Sequence, residues 1–254
     1  MTATILVRTS RAEWSRISSL RSSWVLAAAT AIAVVGLGAL IGVDTATSST
    51  ELPSEATAWD GARFTAMFAL FGVLATAVLT STADYGTGGI VPTLQWTPRR
   101  GVLLTARAVV ISTVTTLLGV SLVAAASVVV RWLVPDASLP LREGLESLGA
   151  LAFVFATGAL LAVGIGLALR SNAGGLVTVI ALILVLPLVL GNLPQEWATD
   201  LAALMPGSSA IHLISGQGPS PDMTLTSART TLAGWAVASL GAGGWRLIRA
   251  DATR

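Results

Sequence analysis

"WVLAAATAIAVVGLGALIGV" (24–43) is twenty residues long and carries no charge. As a helix rising 1.5 Å per residue it would reach about 30 Å, the thickness of a bilayer's hydrocarbon core. A secretory signal peptide is the competing reading, but its apolar run is usually only about 7–15 residues. Since 23 residues also precede the run, an uncleaved membrane helix is expected.

Composition extends that reading to the whole chain. Of 254 residues 54% are hydrophobic and 11% charged, against roughly a quarter charged in soluble domains. No polar block is large enough to fold alone, so 1–254 reads as one membrane domain. The fold class expected is all-α and polytopic. Six spans are predicted: 24–43, about 64–80, about 108–130, about 147–169, 173–190 and about 230–245.

Arg107 decides where the third span begins. Entry at Gly101 would bury Arg107 about 9 Å deep, and a mid-membrane arginine costs roughly 2.5–3.5 kcal/mol on insertion scales. A start near Ala108 leaves the span uncharged and lets Arg107 snorkel to the headgroups.

All 15 basic residues are arginine, which, with abundant Ala, Gly and Val, points to a GC-rich bacterial genome. With the N-terminus inside, 11 arginines are cytoplasmic and 4 external (Arg63, Arg131, Arg142 and Arg229). Arginines, not acids, set orientation, so both termini are expected in the cytoplasm. Only Glu13, Asp84 and Asp251 among the acids then fall inside. The cytoplasmic surfaces are the N-terminal segment, "DYGTGGIVPTLQWTPRRG" (84–101), the tight hairpin "RSNAGG" (170–175) and the C-terminal tail.

Several chemistries are excluded. Without cysteine there is no disulfide or thiolate. Without lysine there is no GxxxxGK[ST] loop, so any ATP that powers this chain binds elsewhere. The six spans as drawn hold no ionisable residue, which argues against an ion-coupled carrier. No carboxylate pair or Ser/His pairing supports an intramembrane enzyme; Glu196, Asp200 and His212 share an external loop and read as solvated or capping residues.

Small residues recur at four-residue spacing: Gly38 and Gly42; Gly158, Ala162 and Gly166; Gly234, Ala238 and Ala242. Such ridges bring helix backbones close in lipid. The hydroxyls of "ISTVTT" (111–116) are expected to bond back to their own helix. Phe64, Met67, Phe68 and Phe71 make one stripe, a candidate translocation path or subunit interface, with lipid exposure or packing as the alternative. Around 10–22, Trp14, Ile17 and Leu20 share a side against Arg11, Ser15, Ser18, Ser19 and Ser22. This reads as a short interfacial helix, with Trp14 and Trp24 at the headgroups.

These segments, in this order, resemble the permease subunits of ATP-binding-cassette transporters, type-2 exporter class, especially actinobacterial ones. "AEWSRISSLRSSW" (12–24) looks like the family's opening, "GLALRSNAGGLVTVIALILVLPLVLGNLP" (166–194) like its span-four/five hairpin, and "MPGSSAIHLISG" (205–216) like an external segment. The 84–101 loop looks like its first cytoplasmic loop through Asp84, Tyr85, Gly88, Thr93, Leu94, Pro98, Arg99 and Arg100. Gly86, Gly89 and Val91 depart from that pattern, leaving the loop less basic and less helical.

The resemblance implies a bacterial plasma-membrane exporter for an amphiphilic or hydrophobic substrate. It further implies a loop coupled to a cytoplasmic ATPase present in two copies, which binds the ATP and Mg, no cofactor on this chain, and a second permease subunit, identical or not. Membrane lipid is the remaining partner, and no nucleic acid is expected. Residues 191–229 would form short external helices, two of them begun by Pro194 and Pro206. The rival classes are an ATP-independent carrier and a structural or regulatory membrane protein.

Overall fold

The computed structural model describes residues 2–48, 57–86, 88–90, 93, 95 and 99–249. The described residues are helical almost throughout, with no strand and a single isolated bridge between Thr57 and Ser138. The helices are α1 (Thr2–Ser19), α2 (Arg21–Thr47), α3 (Ala58–Gly86), α4 (Arg100–Leu133), α5 (Leu141–Leu169), α6 (Asn172–Gly191), α7 (Glu196–Ala203), α8 (Pro206–Ser215) and α9 (Leu225–Arg249). Within α6, Ala181–Val185 is a π-helical turn.

Five helices, α2 to α6, are long and apolar enough to cross a membrane, so the chain is a multi-pass membrane protein. The expected sixth stretch, 230–245, is helical within α9 but is not among the five. Gly234, Gly241, Gly243 and Gly244, with Thr230, Thr231 and Ser239, dilute its apolar content.

Local signals explain the boundaries. Leu20 is extended (φ −77°, ψ 116°) and divides α1 from α2. Arg170 closes α5 in the left-handed region (φ 56°), and Ser171 then caps α6 by accepting from Gly174 N at 3.2 Å. The hairpin read from "RSNAGG" is therefore present. Pro206 opens α8 as expected, but α7 begins at Glu196, two residues after Pro194. Gly216 ends α8 at φ 75°, where a side chain would be strained.

Helix α3 is the centre of the bundle, packed on α2, α4, α5 and α6. Its Leu70, Val73, Leu74, Ala77 and Val78 meet Ile111 and Val123 of α4 and Phe155 and Leu161 of α5. Small residues set the close crossings. A Cβ on Gly38 would meet Ala126 Cβ at 2.9 Å, and one on Gly42 would meet Leu133 Cδ1 at 2.8 Å, so the first ridge packs on α4. Gly158 and Gly166 of the second ridge face Leu70 and Ser81 of α3.

The third ridge is corrected. Gly234 faces open space, and the most extensive contact in the molecule, α5 with α9, is made instead at Gly164 and Gly243. A Cβ at Gly164 would overlap the Ser239 and Leu240 backbone. Helix α9 carries small residues on several faces, and its buried line runs through Ala228, Leu232, Ala236, Gly243 and Leu247. In "ISTVTT", Ser112 and Thr115 bond back, to Val109 O at 3.2 Å and Ile111 O at 2.8 Å, whereas the buried Thr116 hydroxyl has no partner among the described residues.

The largest departure concerns Arg107. Helix α4 begins at Arg100, so helical backbone precedes the span expected from Ala108, and Arg107 within that stretch has no exposed surface. It does not snorkel. Nor are the helices free of ionisable groups, since Asp84 and Arg107 both lie within apolar helices. Both lie near the ends of those helices and outside the spans drawn at 64–80 and 108–130.

Candidate functional site

Four charged side chains from three helices form a closed ring beneath the 84–101 loop. Glu13 Oε1 accepts from Arg107 Nε at 3.0 Å. Glu13 Oε2 accepts from Arg16 Nε at 3.0 Å and from Arg16 Nη2 at 2.7 Å. Asp84 Oδ1 accepts from Arg16 Nη1 at 3.0 Å, and Asp84 Oδ2 accepts from Arg107 Nη2. Each carboxylate thus bridges both guanidinium groups, and each guanidinium bridges both carboxylates. Arg16 Nη2 also donates to Thr80 O at 3.0 Å.

Elementary electrostatics accounts for the arrangement. A lone buried arginine would be expelled or left uncompensated, whereas two cations and two anions sum to zero. The planar fork of arginine presents five donors in fixed directions and so holds two carboxylates in a defined geometry. Thr9, Glu13 and Ile17 are the buried residues of α1, which packs chiefly along α4. Asp84 is two residues from the end of α3, and Arg107 is seven residues into α4, about 10 Å along its axis. The ring therefore lies near one end of the bundle rather than at its middle.

A second set of contacts organises the same end. Arg100 Nη1 donates to Leu247 O and Ile248 O, both at 3.0 Å, and Arg170 Nη2 donates to Arg246 O at 3.0 Å. Arg246 in turn donates to Ala168 O. These cations sit where helix C-termini leave carbonyls unpaired and partly negative. Arg170 also lies 5.5 Å from the Tyr85 ring centroid.

The predicted loop residues consequently divide. Asp84 and Arg100 are engaged within the chain, and Tyr85 is half-buried against Arg170. Gly88 (φ 71°) and Arg99 are exposed. Thr93 donates its hydroxyl to Gly89 O at 2.8 Å and its amide to the same oxygen at 3.2 Å. With Ile90 and Gln95 also helical, the loop contains helical backbone despite its glycines. Leu94 and Pro98 lie outside the described residues.

In the N-terminal segment, Trp14 and Trp24 are exposed, Ile17 is buried and Leu20 is half-buried at the break. Trp24 Nε1 donates to Ser18 O at 2.8 Å, fastening the start of α2 to α1. Helix α1 starts at Thr2, well before the expected position 10. The Phe64 stripe is split between two grooves. Phe64 and Met67 line one of about 280 Å³ with Ile211 and Ile214 of α8, and Phe71 lines one of about 330 Å³ with Leu176 and Val179 of α6.

Neither Glu13 nor Arg16 stands out as a site residue from helical periodicity alone. A signal for both existed. Glu13 and Asp84 are two of only three acids on the arginine-rich side, and acids there call for cationic partners. Among the described residues no three His, Cys, Asp or Glu side chains converge as a metal site would require. Both carboxylates of the ring are engaged by guanidinium groups, and together the four side chains tie α1, α3 and α4 to one another. No protein-family model matches the chain, and no curated protein is recognisably similar to it.

Proposed function

We propose that this chain is the membrane-spanning permease subunit of an ATP-driven exporter in a bacterial plasma membrane, powered by a separate ATPase chain. In this reading α9 supplies the sixth span, both termini are cytoplasmic, and the substrate is amphiphilic or hydrophobic. ATP and Mg belong to the ATPase, two copies of which serve a pair of permease subunits.

One observation carries the reading. The loop that resembles a coupling segment joins α3 and α4, and the Glu13–Arg16–Asp84–Arg107 ring clamps those helices to α1 just beneath it. A displacement applied to such a loop would move three helices together rather than bend one, as rigid-body switching needs. The absence of lysine supports placing the ATP site on another chain.

The second reading, an ATP-independent carrier, draws on the ionisable groups inside α3 and α4. Carriers use such groups near the bilayer midplane, whereas this ring lies near the helix ends and all four members are paired. Accumulation of a lipophilic dye by cells expressing the chain separates the two. Under the exporter reading, efflux fails when ATP is depleted and persists when a protonophore collapses the proton gradient with ATP maintained. The reverse pattern would favour the carrier.

A further inference from the structure

One face of α1 carries Leu6, Val7, Ser10, Arg11 and Trp14, which line an open groove of about 340 Å³. Beyond Trp14 the same face continues to Ile17 and Ser18, which help line a second cavity of about 200 Å³. That cavity is closed by Trp24 of α2, Thr76 of α3, and Val114 and Leu118 of α4. Trp14 belongs to both. A polar-edged groove thus leads past one indole into an almost wholly apolar slot.

The order of these features along the bundle matches a leaflet. Glu13 is level with Arg107 through their ion pair, and the slot reaches Val114 and Leu118, further along α4. The cationic groove therefore lies toward the bundle end, and the apolar slot toward its middle. The charge is one-sided as well. Glu13, the acid of α1, is consumed by the ring, while Arg8 and Arg11 are exposed, as is Arg21 just beyond. Ser23 lines the slot, and its buried hydroxyl has no hydrogen-bond partner among the described residues.

We infer that this face of α1 is a binding site for a single anionic phospholipid from the adjoining leaflet. Its phosphate pairs with Arg11, its glycerol lies against Trp14, and one acyl chain enters the slot between Trp24, Thr76 and Val114. Guanidinium–phosphate pairing supplies the headgroup preference, tryptophan suits the boundary between polar and apolar zones, and the slot removes acyl methylenes from competition with bulk lipid. Ser23 is placed to donate to an ester oxygen. This inference rests on the membrane nature of the chain and stands whether or not the chain is an exporter subunit.

Native mass spectrometry of the full chain tests it, after release from nanodiscs of equal phosphatidylcholine and phosphatidylglycerol with matched acyl chains. The wild type is expected to retain one phosphatidylglycerol in preference to phosphatidylcholine by about fivefold, the scale of one arginine near an anionic surface. Arg11→Gln, on an exposed position, brings that ratio close to one. Ala27→Phe, which fills the slot from α2, lowers retention of both lipids; Val114→Trp does the same from α4 should the first variant fold poorly. A wild-type ratio near one, or an Arg11→Gln ratio equal to wild type, overturns the inference. So does loss of a dimer without loss of lipid in the slot-filling variants, which would assign the slot to a second copy.

Discussion

Glu13 and Arg107 lie 94 positions apart and meet at 3.0 Å within a buried, charge-balanced ring. Arg107 has no exposed side-chain surface, whereas Arg16 keeps 20%. Removing one partner of a buried pair leaves an uncompensated charge and costs about 3–5 kcal/mol. Arg107→Ala should therefore lower the unfolding temperature in detergent markedly. Arg16→Ala should lower it less, because water reaches its site. Equal effects of the two would mean that the difference in burial does not set the cost of breaking the ring.

The crossing of α5 and α9 makes a sharper steric prediction. Gly164→Leu should disrupt it, since even a Cβ there overlaps the Ser239 and Leu240 backbone. The penalty should be at least the roughly 1–3 kcal/mol typical of overpacking. Gly234→Leu, which meets open space within the chain, should leave thermal stability near wild type. A thermal melt of the two purified variants compares them directly.

Arg100 holds the end of α9 through two carbonyls. Arg100→Ala should loosen that turn by about 0.5–1 kcal/mol, the worth of a cation at a helix C-terminus. Hydrogen exchange over 245–249 should quicken, while exchange in α5 stays unchanged. Uniform protection in both would show that the contacts contribute nothing.

Topology reporters examine the proposed orientation. Fusions after Arg254 and within 86–98 should report cytoplasm, and one within 46–58 should report the outside. An external C-terminus would remove α9 as a sixth span, which its composition leaves to experiment.

Much of the fold was legible because local rules govern it. Uncharged runs of bilayer length located α2 to α6, Ser171 and Arg170 marked the hairpin, and Pro206 marked the start of α8. The ring was not legible in the same way. Its members pair across 94 and 23 positions, and no periodicity records a partner that far away. Without those partners in view, Arg107 is an unpaired cation weighed against lipid, and snorkelling is the escape that local reasoning offers it. The α5–α9 crossing failed for a related reason: a helix with small residues on several faces permits many ridges, and only packing selects one.

The placement of Arg99 and Arg100 decides which variant best tests coupling. Arg100 and Tyr85 have contacts of their own within the chain, so altering them confounds docking with folding. Arg99 is exposed and offers the cleaner probe.

The most direct measurement is photolabelling with azido-ATP of the chain affinity-purified from its native membranes, wild type beside Arg99→Glu, at matched amounts. The account predicts label on a separate polypeptide in the wild-type preparation, none on this chain, and loss of that label in Arg99→Glu with the chain's melting temperature unchanged. Label on this chain itself, no labelled polypeptide in the wild type, or equal labelling in both preparations would contradict it.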